Sequence, residues 1–121
     1  MQYVLLFYLD SQRWSALLPD ERSRIHQECG AWHDGLVKSG QSLHCAGLQP
    51  VSTATTLREA NGKTIITDGP FAETKEFLGG FEIIACAHLD EALAIAKRFP
   101  GLRAGVAVEV RPHVTGDECK D

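Results

Sequence analysis

Residues 68–80 read DGPFAETKEFLGG and form the densest run of turn-forming and charged residues in the chain. The run opens on Asp-Gly-Pro, closes on Gly-Gly, and has only Phe71 and Phe77 as large apolar residues among its first ten positions. Strand-like runs lie on both sides, which predicts a long loop between two strands. Such loops often carry binding or catalytic residues, because the scaffold positions them and solvent reaches them.

Composition indicates one ordinary globular domain spanning residues 1–121, long enough to bury a core without crosslinks. The net charge of -4 argues against a nucleic-acid partner, which would need a basic face. No apolar run is long enough to span a membrane, and the N-terminus lacks the features of a signal peptide. We therefore predict a cytoplasmic protein with no membrane partner, in which residues 115–121 form a disordered polar tail.

The elements before the loop follow from local signals. The apolar run 3–9 is typical of a buried strand, and 10–14 is predicted to be a polar loop. Pro19 begins a helix that Gly40 ends, although Leu18 before it is a poor N-cap. The apolar stripe of this helix has helical spacing and consists of Ile25, Cys29, Trp32 and Leu36.

The remaining elements are predicted in the same way. Asn61-Gly62 is the dipeptide that a two-residue type I′ turn requires, so it predicts a β-hairpin. Asp90 is expected to N-cap a second helix that Pro100-Gly101 ends. The other predicted bounds are strands at 42–48, 54–60, 63–67, 81–87 and 105–112, and a helix at 91–99.

The order of these elements predicts an α+β fold of the ferredoxin-like βαββαβ pattern, with the β-hairpin as an insertion. In that pattern two helices cover one face of a single sheet, and something else must cover the other face. A second copy of the chain is the simplest cover. We therefore predict a homodimer whose sheets pack face to face.

Two longer strings and the short helix between them resemble a known family. Residues 68–81 (DGPFAETKEFLGGF), the short helix after them and the ending VEVRPH at 108–113 resemble the DGPF-domain branch of the YCII-related proteins. The resemblance covers Tyr3 to Pro112. It implies a ferredoxin-like subunit that dimerises into an α/β barrel in a bacterial cytoplasm. Members of this branch are often encoded beside sigma factors of the extracytoplasmic-function type.

The resemblance also implies a catalytic pattern from which this sequence departs. Some YCII relatives act on small ring-derived acids, using a histidine on the first helix and an aspartate just before a proline at the end of the second. In an ungapped comparison these positions fall at or near Cys29 and at Phe99. The dyad is not evident here, so the family's hydrolase or lyase chemistry does not carry over and enzymatic activity stays an open question.

His26, Cys29 and His33 share one broad face of the first long helix. His26 and His33 are two turns apart, roughly 10 Å of rise, which is too far to share a metal ion. Closer pairs could hold a metal with ligands from elsewhere, or Cys29 could act as a nucleophile with a histidine as base. The alternative is a core cysteine with solvated histidines beside it. No C-x-x-C pair exists, so we predict no metal and no cofactor.

The loop offers a second candidate site. Lys75 and Arg111 could pair with an anionic ligand, while Asp68 or Glu73 handles a proton. The alternative is structural: Asp68 caps the turn, and the charges form salt bridges without chemistry. We therefore predict a dimeric small-molecule-binding or regulatory module, associated with sigma-factor systems by family analogy. An enzyme of the hydrolase or lyase class, acting on a small polar or anionic metabolite, is the alternative.

Overall fold

The computed structural model describes residues 1–114 as a mixed α+β fold; the predicted disordered tail at 115–121 lies outside the described residues. Its strands are β1 (Gln2–Asp10), β2 (Ser42–Gly47), β3 (Thr55–Ala60), β4 (Lys63–Asp68), β5 (Glu76–Ala85) and β6 (Ala107–Pro112). Its helices are α1 (Ser11–Ser15), α2 (Pro19–Lys38) and α3 (Leu89–Lys97), with short 3-10 turns at Val51–Thr53 and Pro100–Ala104. None of the helices described in residues 1–114 is long and apolar enough to cross a membrane.

Four strands form one sheet in the order β2-β5-β1-β6, and each neighbouring pair is antiparallel. Strands β3 and β4 pair only with each other in the described part of the chain, as a separate hairpin. Asn61 and Gly62 both have positive φ angles, 53° and 77°, as a type I′ turn requires. The predicted hairpin is therefore confirmed.

The core lies between one face of the sheet and the two longer helices. Leu5 of β1, Ile84 of β5 and Ile95 of α3 are almost completely buried, and Leu36 of α2 joins them. Side chains alternate along a strand, so the neighbours of these residues face the other side of the sheet. Those neighbours are half-buried in the single chain; they include Val4, Leu6, Tyr8, Phe81 and Ile83.

Helix α2 has nearly its predicted bounds. Leu18 makes no side-chain capping bond, and Gly40 follows the helix with a φ of 76°. A positive φ is easily adopted by glycine, which explains why the helix ends there.

The predicted loop at 10–14 is wrong, because Asp10 ends β1 and the helix α1 begins directly after it, at Ser11. The side chain of Asp10 accepts hydrogen bonds from the backbone N–H groups of Gln12, at 3.0 Å, and Arg13, at 3.3 Å. Asp10 is 4% exposed. It is therefore a buried N-cap that joins β1 directly to the short helix.

The predicted start of the fifth strand is also wrong. Strand β5 begins at Glu76, so the connection after β4 covers only 69–75. Gly79 and Gly80 suggest a turn, but here they allow close packing inside the sheet. A Cβ atom on Gly80 would lie 2.7 Å from the carbonyl oxygen of Ala46, and one on Gly79 would overlap Leu9. Tertiary contact thus overrides the local turn signal.

The predicted N-cap of the last helix is off by two residues. Helix α3 begins at Leu89, and the ring of His88 accepts a hydrogen bond from the N–H of Glu91 at 3.2 Å. Asp90 lies in the first turn, where its charge still favours the positive end of the helix dipole.

Candidate functional site

A histidine of α2 contacts a buried carboxylate of the sheet. Glu82 lies on the inward face of β5 and is only 3% exposed. Both of its carboxylate oxygens lie 3.0 Å from Nδ1 of His33, and the hydroxyl of Ser42 donates to Oε1 at 2.5 Å. A carboxylate so far from solvent needs such donors, because burying an unpaired charge is costly. The contacts fix the orientation of the imidazole ring.

The same contacts decide which nitrogen of His33 faces outward. An ionised carboxylate only accepts hydrogen bonds, so the neutral ring carries its proton on Nδ1. Nε2 is then an acceptor, and the thiol of Cys45 on β2, with Sγ 3.8 Å away, is in position to donate a weak hydrogen bond to it. The arrangement presents a base, with a thiol beside it, from a rigid helix and a rigid sheet.

This group borders a cleft between α2 and the sheet. A cavity of about 290 Å³ is lined by His33, Cys45 and Glu82. A second cavity of about 260 Å³ adjoins it and is lined by Trp14, Ile25 and His26. The two share four lining residues, so they form one cleft; these are Phe7, Cys29, Gly79 and Phe99.

Aromatic rings form the apolar wall of the cleft. Phe7 and Phe99 stack with their centroids 4.5 Å apart, and Trp32 packs edge-on against Phe99 at 5.0 Å. The indole N–H of Trp32 donates to the carbonyl of Ile95 at 3.1 Å, which fixes the ring between α2 and α3. A flat apolar molecule would fit such a wall, because aromatic faces favour offset stacking.

The structure places the helical candidates around this cleft. Exposed His26 packs edge-on against Trp14, with centroids 5.1 Å apart. Cys29 lies half-buried on the cleft wall, and burial raises the pKa of its thiol. Burial, and then the charge of Glu82, raise the pKa of Cys45. Neither thiol has the lowered pKa of an activated nucleophile, so His33 is the better placed reactive group.

The loop candidates have other partners. Lys75 lies 3.8 Å from Asp10, and Arg111 pairs with Glu109 at 2.6 Å. Asp68 and Glu73 are exposed, and within residues 1–114 neither has an ion-pair partner. Within residues 1–114, therefore, no ion pair joins any two of these four candidates.

A larger cavity of about 600 Å³ lies beside the connection at 69–75. Most of its lining is apolar, and Phe71 at its edge is 73% exposed. Neither Asp68 nor Glu73 lines it. Its lining includes Tyr8, Leu48, Val51, Pro70, Phe77 and Leu78.

Sequence reasoning missed the partners of His33. Glu82 and Cys45 lie 49 and 12 positions away along the chain, so no local spacing reveals the group. One signal was present: Glu82 shares the strand parity of Ile84, which is a core position. A charged residue at a core parity predicts a buried partner, because isolated buried carboxylates are rare.

The chain is similar to known proteins over nearly its whole length. The family model for the YCII-related domain matches residues 1–113. An uncharacterized protein of Rhizobium meliloti (strain 1021) is 42% identical over 113 residues, which cover 93% of this chain and 91% of that protein.

A solved structure shares the fold at low sequence identity. It is the 5-chloro-2-hydroxyhydroquinone dehydrochlorinase of Burkholderia phenoliruptrix AC1100, in complex with 2,5-dihydroxybenzoquinone. The TM-score is 0.57 at 16% identity, and the match covers 97% of each chain. The family model, which matches residues 1–113, shows that the chain belongs to the family of YCII-related domain proteins.

Proposed function

We propose that the protein is an enzyme that transfers a proton to or from a small, flat, cyclic molecule bound in the cleft. His33 is the acid–base group and Glu82 positions it. The reaction belongs to the hydrolase or lyase class. The observation that carries this proposal is the contact between the buried carboxylate of Glu82 and Nδ1 of His33, at the edge of a cavity.

The chemistry follows from the lone pair on Nε2, whose neighbour is the weakly donating thiol of Cys45. A substrate that stacks on Phe7 and Phe99 would bring a C–H or O–H group to this nitrogen, which takes the proton. The negative charge of Glu82 then stabilises the imidazolium that forms. The cavity volume of about 290 Å³ suits a molecule of about one ring.

The fold relative is consistent with this substrate class. Its name describes the removal of hydrogen chloride from a substituted hydroquinone, and its structure holds a quinone. The two residues that the family resemblance assigns to catalysis correspond to Cys29 and Phe99, and both line the cleft. His33, one turn further along the same helix, and Glu82 of β5 would then serve in this chain as a replacement acid–base pair.

A second candidate is a small-molecule-binding or regulatory module without catalysis, of the kind associated with sigma-factor systems. The absence of histidine at position 29 and of aspartate at position 99 favours it. In that function the exposed charges of the loop and β6 would be the polar contacts of an anionic ligand. Those residues are Asp68, Glu73, Lys75 and Arg111.

We also propose the finer architecture. The DGPFAETKE string at 68–76 would place the chain in the DGPF branch, as a cytoplasmic protein. The strand order β2-β5-β1-β6 supports a ferredoxin-like subunit. The half-buried apolar side chains opposite the helices, such as Leu6, Tyr8 and Ile83, support a homodimer that closes an α/β barrel.

Proton transfer can be tested before the natural substrate is known. A panel of small cyclic ketones and diones, including 2,5-dihydroxybenzoquinone as a binding probe, would be incubated with the protein in D₂O. We expect faster exchange of an acidic C–H for deuterium in at least one compound, followed by NMR. His33→Ala should slow this exchange by about 100-fold or more. His113→Ala, an exposed residue beyond β6, is the matched control and should leave the rate unchanged.

The outcomes separate the two candidates. Binding in the cleft without faster exchange would favour the non-catalytic module. Equal exchange rates in the wild type and His33→Ala would refute the role of His33. If no compound binds, the proposed substrate class is wrong.

A further inference from the structure

His33 and its neighbours form a group of possible metal ligands, which proton transfer alone does not require. The ligand atoms of His33, Cys45 and Glu82 lie within 4.8 Å of one another and come from α2, β2 and β5. Imidazole, thiolate and carboxylate are the ligands that Zn²⁺ takes in proteins. We propose that Cys45 and His33 bind one Zn²⁺-type ion reversibly, and that the ion inhibits the site.

The separation of the two ligand atoms fits a single ion. Sγ of Cys45 and Nε2 of His33 are 3.8 Å apart. With a Zn–S bond of about 2.3 Å and a Zn–N bond of about 2.05 Å, this separation gives an S–Zn–N angle of about 120°. That angle is close to tetrahedral, so the two side chains need little movement to share the ion.

Glu82 contacts the other nitrogen of the ring, Nδ1. A histidine that binds metal usually donates its other N–H to a carboxylate, which fixes the ring and strengthens the ligand. Both oxygens of Glu82 lie 3.0 Å from Nδ1, and a carboxylate oxygen also lies within 4.8 Å of Sγ of Cys45, its register partner on β2. The carboxylate is therefore already in the position of that outer partner.

The site is open to solvent on its other side. Cys45 is exposed, and the side chain of His33 is 31% exposed. Two protein ligands leave about two tetrahedral positions for water or a bound molecule, so binding should be reversible. Hard ions such as Mg²⁺ prefer oxygen ligands and should not compete.

Binding would change the chemistry of the cleft. The ion displaces the thiol proton of Cys45 to solvent and occupies the lone pair of Nε2. That lone pair is the base in proton transfer, so the loaded protein should be inactive. The inhibition rests on the proposed function, whereas the binding itself does not.

Cobalt titration tests the binding directly, because Co²⁺ substitutes for Zn²⁺ and a thiolate ligand gives it an intense near-ultraviolet charge-transfer band. We expect this band in the wild-type protein and its loss in Cys45→Ser. Glu82→Gln should weaken the affinity 10–100-fold, as loss of an outer partner does. Cys119→Ser, which changes another thiol of the sequence, is the matched control and should keep the band.

Either of two results would overturn the site: no band in the wild type, or an equal band in Cys45→Ser. The deuterium exchange of the metal-free protein keeps the two proposals apart. If Zn²⁺ binds and the exchange rate is unchanged, the inhibition is wrong while the role of His33 stands. If the metal-free protein shows no exchange that depends on His33, the proposed function fails and cobalt binding is still judged on its own band.

Discussion

The contact between His33 and Glu82 predicts a measurable coupling in the stability of the protein. His33→Ala and Glu82→Gln would be made singly and together, and the free energy of unfolding measured for all four proteins. A hydrogen bond to a charged group contributes about 1.5–3 kcal/mol, whereas the neutral bond that glutamine can form contributes about 0.5–1.5 kcal/mol. His33 is 31% exposed, so solvent screens part of the difference.

We therefore expect a coupling of about 1–2 kcal/mol between the two sites, within the range for residues in contact. The cycle is needed because removing the buried charge of Glu82 also removes its desolvation cost, so the single variant alone is ambiguous in sign. Urea unfolding followed by far-ultraviolet circular dichroism supplies the four values.

The matched control is a second cycle that combines His113→Ala with Glu82→Gln. His113 is exposed and lies just after the end of β6. Sites without contact should be additive within about 0.5 kcal/mol. If the His33 cycle is equally additive, Glu82 does not hold the imidazole ring, and the geometry on which the site depends is wrong.

The remaining predictions concern the core, the glycines and a thiol. Ile84→Ala should lower the free energy of unfolding by about 2–5 kcal/mol because Ile84 is fully buried, whereas Ile66→Ala, at 67% exposure, should change it little; urea unfolding measures both. Gly80→Ala should lower the free energy of unfolding by about 1–3 kcal/mol, because its Cβ would lie 2.7 Å from a backbone oxygen of β2. Gly30→Ala is the matched control, with nothing within 4 Å of its Cβ, and should instead raise the free energy of unfolding by about 0.5–1 kcal/mol in the same assay. Because its pKa is raised, Cys29 carries less thiolate at neutral pH than a free thiol, so iodoacetamide should react with it more slowly than with free cysteine. Its reaction rate should still be rising at pH values above the ordinary thiol pKa. Mass spectrometry across a pH series measures the rate, and a reaction faster than that of free cysteine would contradict the prediction.

Local sequence rules located the elements whose limits are set by their own residues. Pro19 and Gly40 bound α2, and Asn61-Gly62 sets the hairpin turn, because these residues restrict or permit particular φ angles wherever they occur. The same rules misplaced the start of β5. Gly79 and Gly80 fit a turn locally, but contact with Leu9 and with β2 gives them a different role, and such contacts exist only in the folded chain.

The candidate site was only partly predictable for the same reason. The stripe on α2 identified the helix face that meets the sheet, and His33 was among the candidates beside it. Its partners Glu82 and Cys45 lie on β5 and β2, and only the register of the sheet shows that these two residues are neighbours. The buried role of Asp10 was also missed, because a charge at the end of a strand is usually taken as the start of an exposed loop.

The most direct test of the central claim is to determine which nitrogen of the neutral His33 ring carries the proton, in protein without ligand or metal. Both proposals require that Glu82 hold the proton on Nδ1, so that the lone pair of Nε2 faces the cleft. Long-range ¹H–¹⁵N NMR distinguishes the two nitrogens. We predict the Nδ1–H tautomer in the wild type and a shift toward Nε2–H in Glu82→Gln. A wild-type ring that carries its proton on Nε2 would contradict the claim.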